Sequence, residues 1–88
     1  MKLMIVIIRD QDSENVLDQL ISEGFGVTHI ASTGGFLRRG NATLLIATEQ
    51  ERIEQAMEVI RTQTTPLEES QRRATVFVLN LEAFEQLQ

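Results

Sequence analysis

At 88 residues the chain has room for one domain (residues 1–88) and one modest core, burying roughly 60–65% of its extended surface, so a lone copy is only moderately stable. Hydrophobic residues at 42% and charged residues at 24% fit an ordinary globular domain, and the lack of cysteine excludes disulfides and thiolate metal sites. A net charge of −5 argues against a nucleic-acid polymer as partner, because that binding leans on a positive field.

Lys2 to Arg9 is β-branched or long and apolar on both faces, which predicts a strand. The run is too short to cross a bilayer and lacks a small-residue cleavage site, so a cytoplasmic protein without membrane insertion is expected. Asp10-Gln11-Asp12-Ser13 offers capping side chains for a helix to about Glu23, with Val16, Leu17, Leu20 and Ile21 as its buried stripe and Gly24 as its stop. Strands follow over about Phe25 to Ser32 and Ala42 to Thr48. Thr48 is expected to cap a second helix that buries Ile53, Ala56, Met57 and Ile60. Thr62 to Gln71, with the only proline at Pro66, reads as a loop. Arg73 to Leu81 reads as the last strand, followed by a tail turn from Glu82 to Gln86 that carries Phe84.

The order β-α-β-β-α-β is that of an α+β, ferredoxin-like sandwich, in which two helices cover one face of a sheet. The first and last strands are nevertheless apolar on both faces, and so is much of the third. An antiparallel sheet with one wet face should alternate. Leaving that second face in water would expose a patch above a few hundred Å², so another subunit is expected to cover it. The competing expectation is that the loop and the C-terminal tail fold over it.

Between the second and third strands lies Ala31-Ser32-Thr33-Gly34-Gly35-Phe36-Leu37-Arg38-Arg39-Gly40-Asn41. Glycines let N–H groups approach an anion, Phe36 and Leu37 suit a flat ring, and Asn41 offers donor and acceptor together. A ligand with a base and a phosphate would use this mixture. Each residue also has a plainer role. Phe36-Leu37 could pack as an apolar hairpin tip, Arg38 and Arg39 could be solvated, Thr28 could be a simple strand hydroxyl and Phe77 a core residue. His29 has no His or Cys companion for a metal, and Glu49, Glu51 and Glu54 suit the start of a helix. No matched Asp-His-Ser set and no Walker lysine is present, so no enzyme is expected.

The string from Ile30 to Leu37, followed by Arg39-Gly40-Asn41 and later by Ala74-Thr75-Val76-Phe77-Val78 and Phe84-Glu85-Gln86, resembles the cyclic-di-AMP receptor family, the PII-like signal transduction proteins of bacteria. The likeness spans nearly the whole chain except the segment between the second helix and the last strand. It implies a PII-like homotrimer that binds nucleotide between subunits and signals to a downstream protein of unknown identity. No cofactor is implied; the ligand would be cyclic-di-AMP or another adenine nucleotide. Thr28 matches the family's ligand-contacting hydroxyl, Gly35, Phe36 and Leu37 the loop that lines adenine, and Asn41 the amide that reads it. Phe77 matches an aromatic packed on the base, and Gln86 a tail glutamine beside the ligand. The chain departs at Gly26, where an arginine is usual, at Gly24, where asparagine is common, and at Ala47, where a glycine is usual. The connector from Thr62 to Arg73 is also short. Gly26 and the short connector favour the alternative of a structural or protein-interaction trimer that has lost its ligand.

Overall fold

In the computed structural model, residues 1–32, 40–65 and 72–87 are described. The elements run β1 (Lys2–Arg9), α1 (Asp10–Ser22), β2 (Gly26–Ser32), β3 (Asn41–Thr48), a 3-10 turn (Gln50–Arg52), α2 (Ile53–Gln63) and β4 (Ala74–Asn80). The four strands form one sheet in the order β2-β3-β1-β4, with every neighbouring pair antiparallel. Each helix therefore joins two strands that are separated by a third, giving the expected ferredoxin-like α+β arrangement.

Strand alternation decides which side chains reach the helices. Met4, Val6 and Ile8 of β1 and Ala42, Leu44 and Ile46 of β3 are buried, together with Val16 and Leu20 of α1 and Ala56, Val59 and Ile60 of α2. They form one core between sheet and helices, with Val27, Ile53, Met57, Ala74 and Val76 packed around it. The stripe expected on α1 is narrower than predicted: Leu17 is only half-buried and Ile21 is exposed. Two helices leave the outer flank of each without a neighbour, so only the central residues of a stripe meet the sheet.

The helix starts also differ from expectation. No side chain caps α1, whose first residue is Asp10; Ser13 instead donates to the Asp10 carbonyl. Thr48 does not cap the second helical segment either. It is the buried last residue of β3, and Glu49 precedes a 3-10 turn that leads into α2. At the other end of α1 the expectation holds: Gly24 has φ +88°, in the left-handed region that glycine enters without a Cβ clash.

Residues 82–87 adopt no regular structure, in place of the expected turn. In β2 the register shifts between His29 and Ala31, leaving Ile30 as the extra residue of a β-bulge. The bulge bends the strand just before the glycine-rich segment. Periodicity does not reveal it, because both neighbours of Ile30 suit a strand.

Candidate functional site

The face of the sheet turned away from the helices carries the candidate site. Thr28 of β2 lies opposite Leu45 of β3, Leu45 opposite Ile5 of β1, and Ile5 opposite Phe77 of β4. One row of side chains thus crosses the whole face from edge to edge. The adjoining row is Gly26, Ala47, Leu3 and Leu79. Only small, apolar or hydroxyl side chains stand in these two rows. Phe77 is 52% exposed and Leu79 48% exposed, so the second apolar face inferred from the strand pattern lies open in the isolated chain.

The C-terminal tail crosses one end of this face, where the Leu81 N–H donates to the Met1 carbonyl. Leu81, Phe84 and Gln86 there border a hollow of about 480 Å³ with Leu3, Gly26, Thr28, Leu45 and Ala47. That volume lies within the range of small-molecule sites, roughly 300–1,000 Å³. The tail forms one wall and leaves Phe77 and Leu79 exposed, so the expectation that it covers the open face is met at one end only.

The residues expected to bind ligand fall in separate places. Thr28 and Gln86 share the hollow. Phe77 occupies the far end of Thr28's row, three strand spacings or about 14 Å away. It is not the buried core residue that its plainer reading suggested. Asn41 is exposed and pairs with Arg9 at the opposite end of the strands, four residues or about 13 Å along β3 from the partner of Thr28. Gly35, Phe36 and Leu37 lie outside the described residues. Thr28, Phe77 and Asn41 therefore do not meet within a single chain.

A second polar cluster escaped the sequence reading. Asp12, 2% exposed, accepts from Arg9 Nη2 at 3.3 Å and from Thr65 Oγ1 at 2.7 Å, and the same Arg9 nitrogen donates to the Thr65 carbonyl at 2.9 Å. The Asp10 N–H donates to the Gly40 carbonyl at 2.8 Å. The start of α1 is thereby tied both to the segment leaving α2 and to the residue before Asn41. An Asp at a helix start is ordinarily solvated; this one is buried and takes a hydrogen bond from Thr65, 53 residues away.

Electrostatics outside the hollow centre on Glu23, at the end of α1. Its carboxylate accepts from Gln19 at 2.7 Å and from Gln55 of α2 at 2.9 Å. These hydrogen bonds, aided by the nearby Arg52, hold its pKa below the ordinary glutamate value. Arg52 also donates to the Glu23 carbonyl and stacks on Phe25 at 4.0 Å from the ring centre. Among the described residues no three His, Asp or Glu side chains gather as a metal would require. His29 is exposed on β2.

The chain is thus a two-layer α+β domain with a hollow on its free sheet face whose described lining residues are uncharged. Residues 1–71 match the family described as cyclic-di-AMP receptor, and the chain belongs to that family. The match ends before β4, so Phe77 and Gln86 lie beyond it. The crystal structure of a functionally unknown protein from Pediococcus pentosaceus ATCC 25745 is also similar, at 34% sequence identity and a TM-score of 0.78. The likeness covers 98% of this chain and 96% of that one, so neither carries a long insertion relative to the other. No helix among the described residues is long and apolar enough to cross a membrane.

Proposed function

We propose that the protein is a PII-like nucleotide sensor, assembled as a homotrimer, that binds cyclic-di-AMP or a related adenine nucleotide between subunits. It acts by binding rather than catalysis and passes the signal to a downstream protein in the cytoplasm. The observation that carries this reading is the open sheet face, with its hollow at Thr28 and Gln86 and its bare Phe77. Thr28 and Phe77 stand on the two edge strands of one sheet. A neighbouring subunit whose β4 edge lay beside this β2 edge would bring a Phe77 ring to Thr28, a contact that one chain cannot make.

In that cleft Phe77 stacks on the base, contributing roughly 1–3 kcal/mol. Thr28 and Gln86 supply hydrogen bonds there, while the family resemblance assigns Gly35, Phe36 and Leu37 to lining adenine and Asn41, at the other end of β3, to reading a base edge. Family membership over residues 1–71 supports the ligand class. Calorimetric titration of the purified chain with cyclic-di-AMP, ATP and AMP tests the reading. Saturable heat with at least one of them is expected, and none with any of the three sinks the ligand assignment.

A ligand-free structural trimer is the second reading, favoured by Gly26, which leaves the hollow without the family's usual arginine. It wins if Phe36→Ala dissolves the trimer while heats of titration are absent in both the variant and the parent.

A further inference from the structure

We infer that the groove between α2 and β4, on the helix side of the sheet, docks an acidic peptide segment of a partner protein by an apolar anchor. The groove lies on the opposite face from the hollow at Thr28 and needs no nucleotide to be occupied. Its floor follows from how far the helix layer reaches. Met4 and Val6 of β1 are fully covered. Their partners on the edge strand β4 are not: Val76 is half-buried and Val78 is 43% exposed. The helix α2 thus shields β1 and stops short of the sheet edge. Met57 and Ile60 of α2 and Ala74 and Val76 of β4 border the uncovered strip, a groove of about 490 Å³. A leucine or phenylalanine side chain laid there removes apolar surface from water on both partners.

The rim sets the charge of the partner. Arg61, Arg72 and Arg73 border the groove, three of the eight basic residues in a chain of net charge −5. Arg72 makes no ion pair among the described residues, and Arg73 donates only to the Arg61 carbonyl, at 3.3 Å. Arg61 is shared with Glu58 at 3.2 Å and Glu54 at 3.8 Å. Those two side chains are 64% and 83% exposed, and ion pairs so open to water hold weakly. Guanidinium groups beside an apolar trough match carboxylates that flank an apolar residue. At physiological salt the screening length is about 8 Å, so this rim outweighs the chain's net charge for a ligand seated in the groove. A basic segment would meet three arginines, and a purely apolar one would leave them unused.

The experiment is calorimetry on the full chain, without nucleotide, using the blocked peptide Glu-Asp-Leu-Phe-Asp-Glu at about 50 mM sodium chloride. A dissociation constant of about 100 μM or tighter is expected. Replacing the four carboxylates by amides, or Leu-Phe by Ser-Ser, should weaken binding more than about tenfold. The double variant Arg72→Glu/Arg73→Glu should lose as much, with circular dichroism and sedimentation unchanged. Amide resonances of Ala74 and Val76, and not that of Thr28, should shift when the peptide is added to the parent chain. Those shifts locate the site even if the double variant fails to fold. The proposal is overturned if the acidic peptide does not bind the parent at about 1 mM, if the amide-substituted peptide loses less than tenfold, or if the shifts fall at Thr28. Two occupants from the protein itself are separable when the parent stays silent. Binding that appears in Glu68→Gln/Glu69→Gln would show the chain's own connector in the groove. Sedimentation that changes in Arg72→Glu/Arg73→Glu would show a second copy there. Either result overturns the proposal and leaves the nucleotide reading untouched.

Discussion

Gly24 closes α1 with φ +88°, and a Cβ there would lie 3.9 Å from Arg52 Nη2, an ordinary contact. Space is therefore not the constraint; backbone geometry is. Gly24→Ala should destabilise the fold by about 1–2 kcal/mol, the cost of a left-handed conformation for a residue with a Cβ, read from the midpoint of urea unfolding. Asp12 presents the opposite case, a charged residue that the fold has buried. Removing its carboxylate leaves the Thr65 hydroxyl without its acceptor and Arg9 with only the Thr65 carbonyl, so Asp12→Ala should cost about 2–3 kcal/mol. Thr65→Val, which deletes one hydrogen bond and leaves the ion pair, should cost about 1 kcal/mol in the same assay.

Between elements, the end of α1 is latched to α2 through Glu23, Gln55 and Arg52. Because the folded chain holds the Glu23 pKa below its ordinary value of 4.5, the unfolded chain binds the proton more readily. The stabilisation is complete above the unfolded value and disappears as pH falls through the folded one. Thermal unfolding from pH 7 down to about pH 3 should show a decline in the wild type over that acid range. Glu23→Gln should flatten that decline while leaving the two helices in place. An unchanged acid limb would remove Glu23 from the account. The bulge at Ile30 is a second inter-element feature. It changes the direction of β2 immediately before the glycine-rich segment, whatever the side chains of that segment do.

For the whole molecule, the decisive property is the second apolar face of the sheet. Phe77 and Leu79 are half exposed, so in a lone chain Phe77→Asp removes little packing. In the proposed trimer the same change would place a charge in a subunit contact. Sedimentation velocity at micromolar concentration should show a trimer for the parent chain and predominantly monomer for Phe77→Asp, with circular dichroism unchanged. A parent chain that sediments as a monomer would leave the face without its proposed cover.

The residues themselves determined the element order, the two-faced strands and the stop at Gly24. Each of these rests on local periodicity or on one backbone angle, which neighbours in sequence suffice to specify. The string through Gly35, Phe36 and Leu37 to Asn41 also carried the family, because that pattern is written in contiguous residues. Tertiary structure decided what depends on residues far apart in the chain. Thr65 adds a hydrogen bond from 53 residues away to the buried carboxylate of Asp12, and Thr48 closes a strand where its type suggested a cap. Strand register sets Thr28 and Phe77 at opposite edges of one row, and the path of the tail brings Gln86 to the hollow that Thr28 also lines. Those placements follow from how strands pair across the sheet and where the tail crosses it, and pairing between distant segments leaves no periodic mark in the sequence of either one.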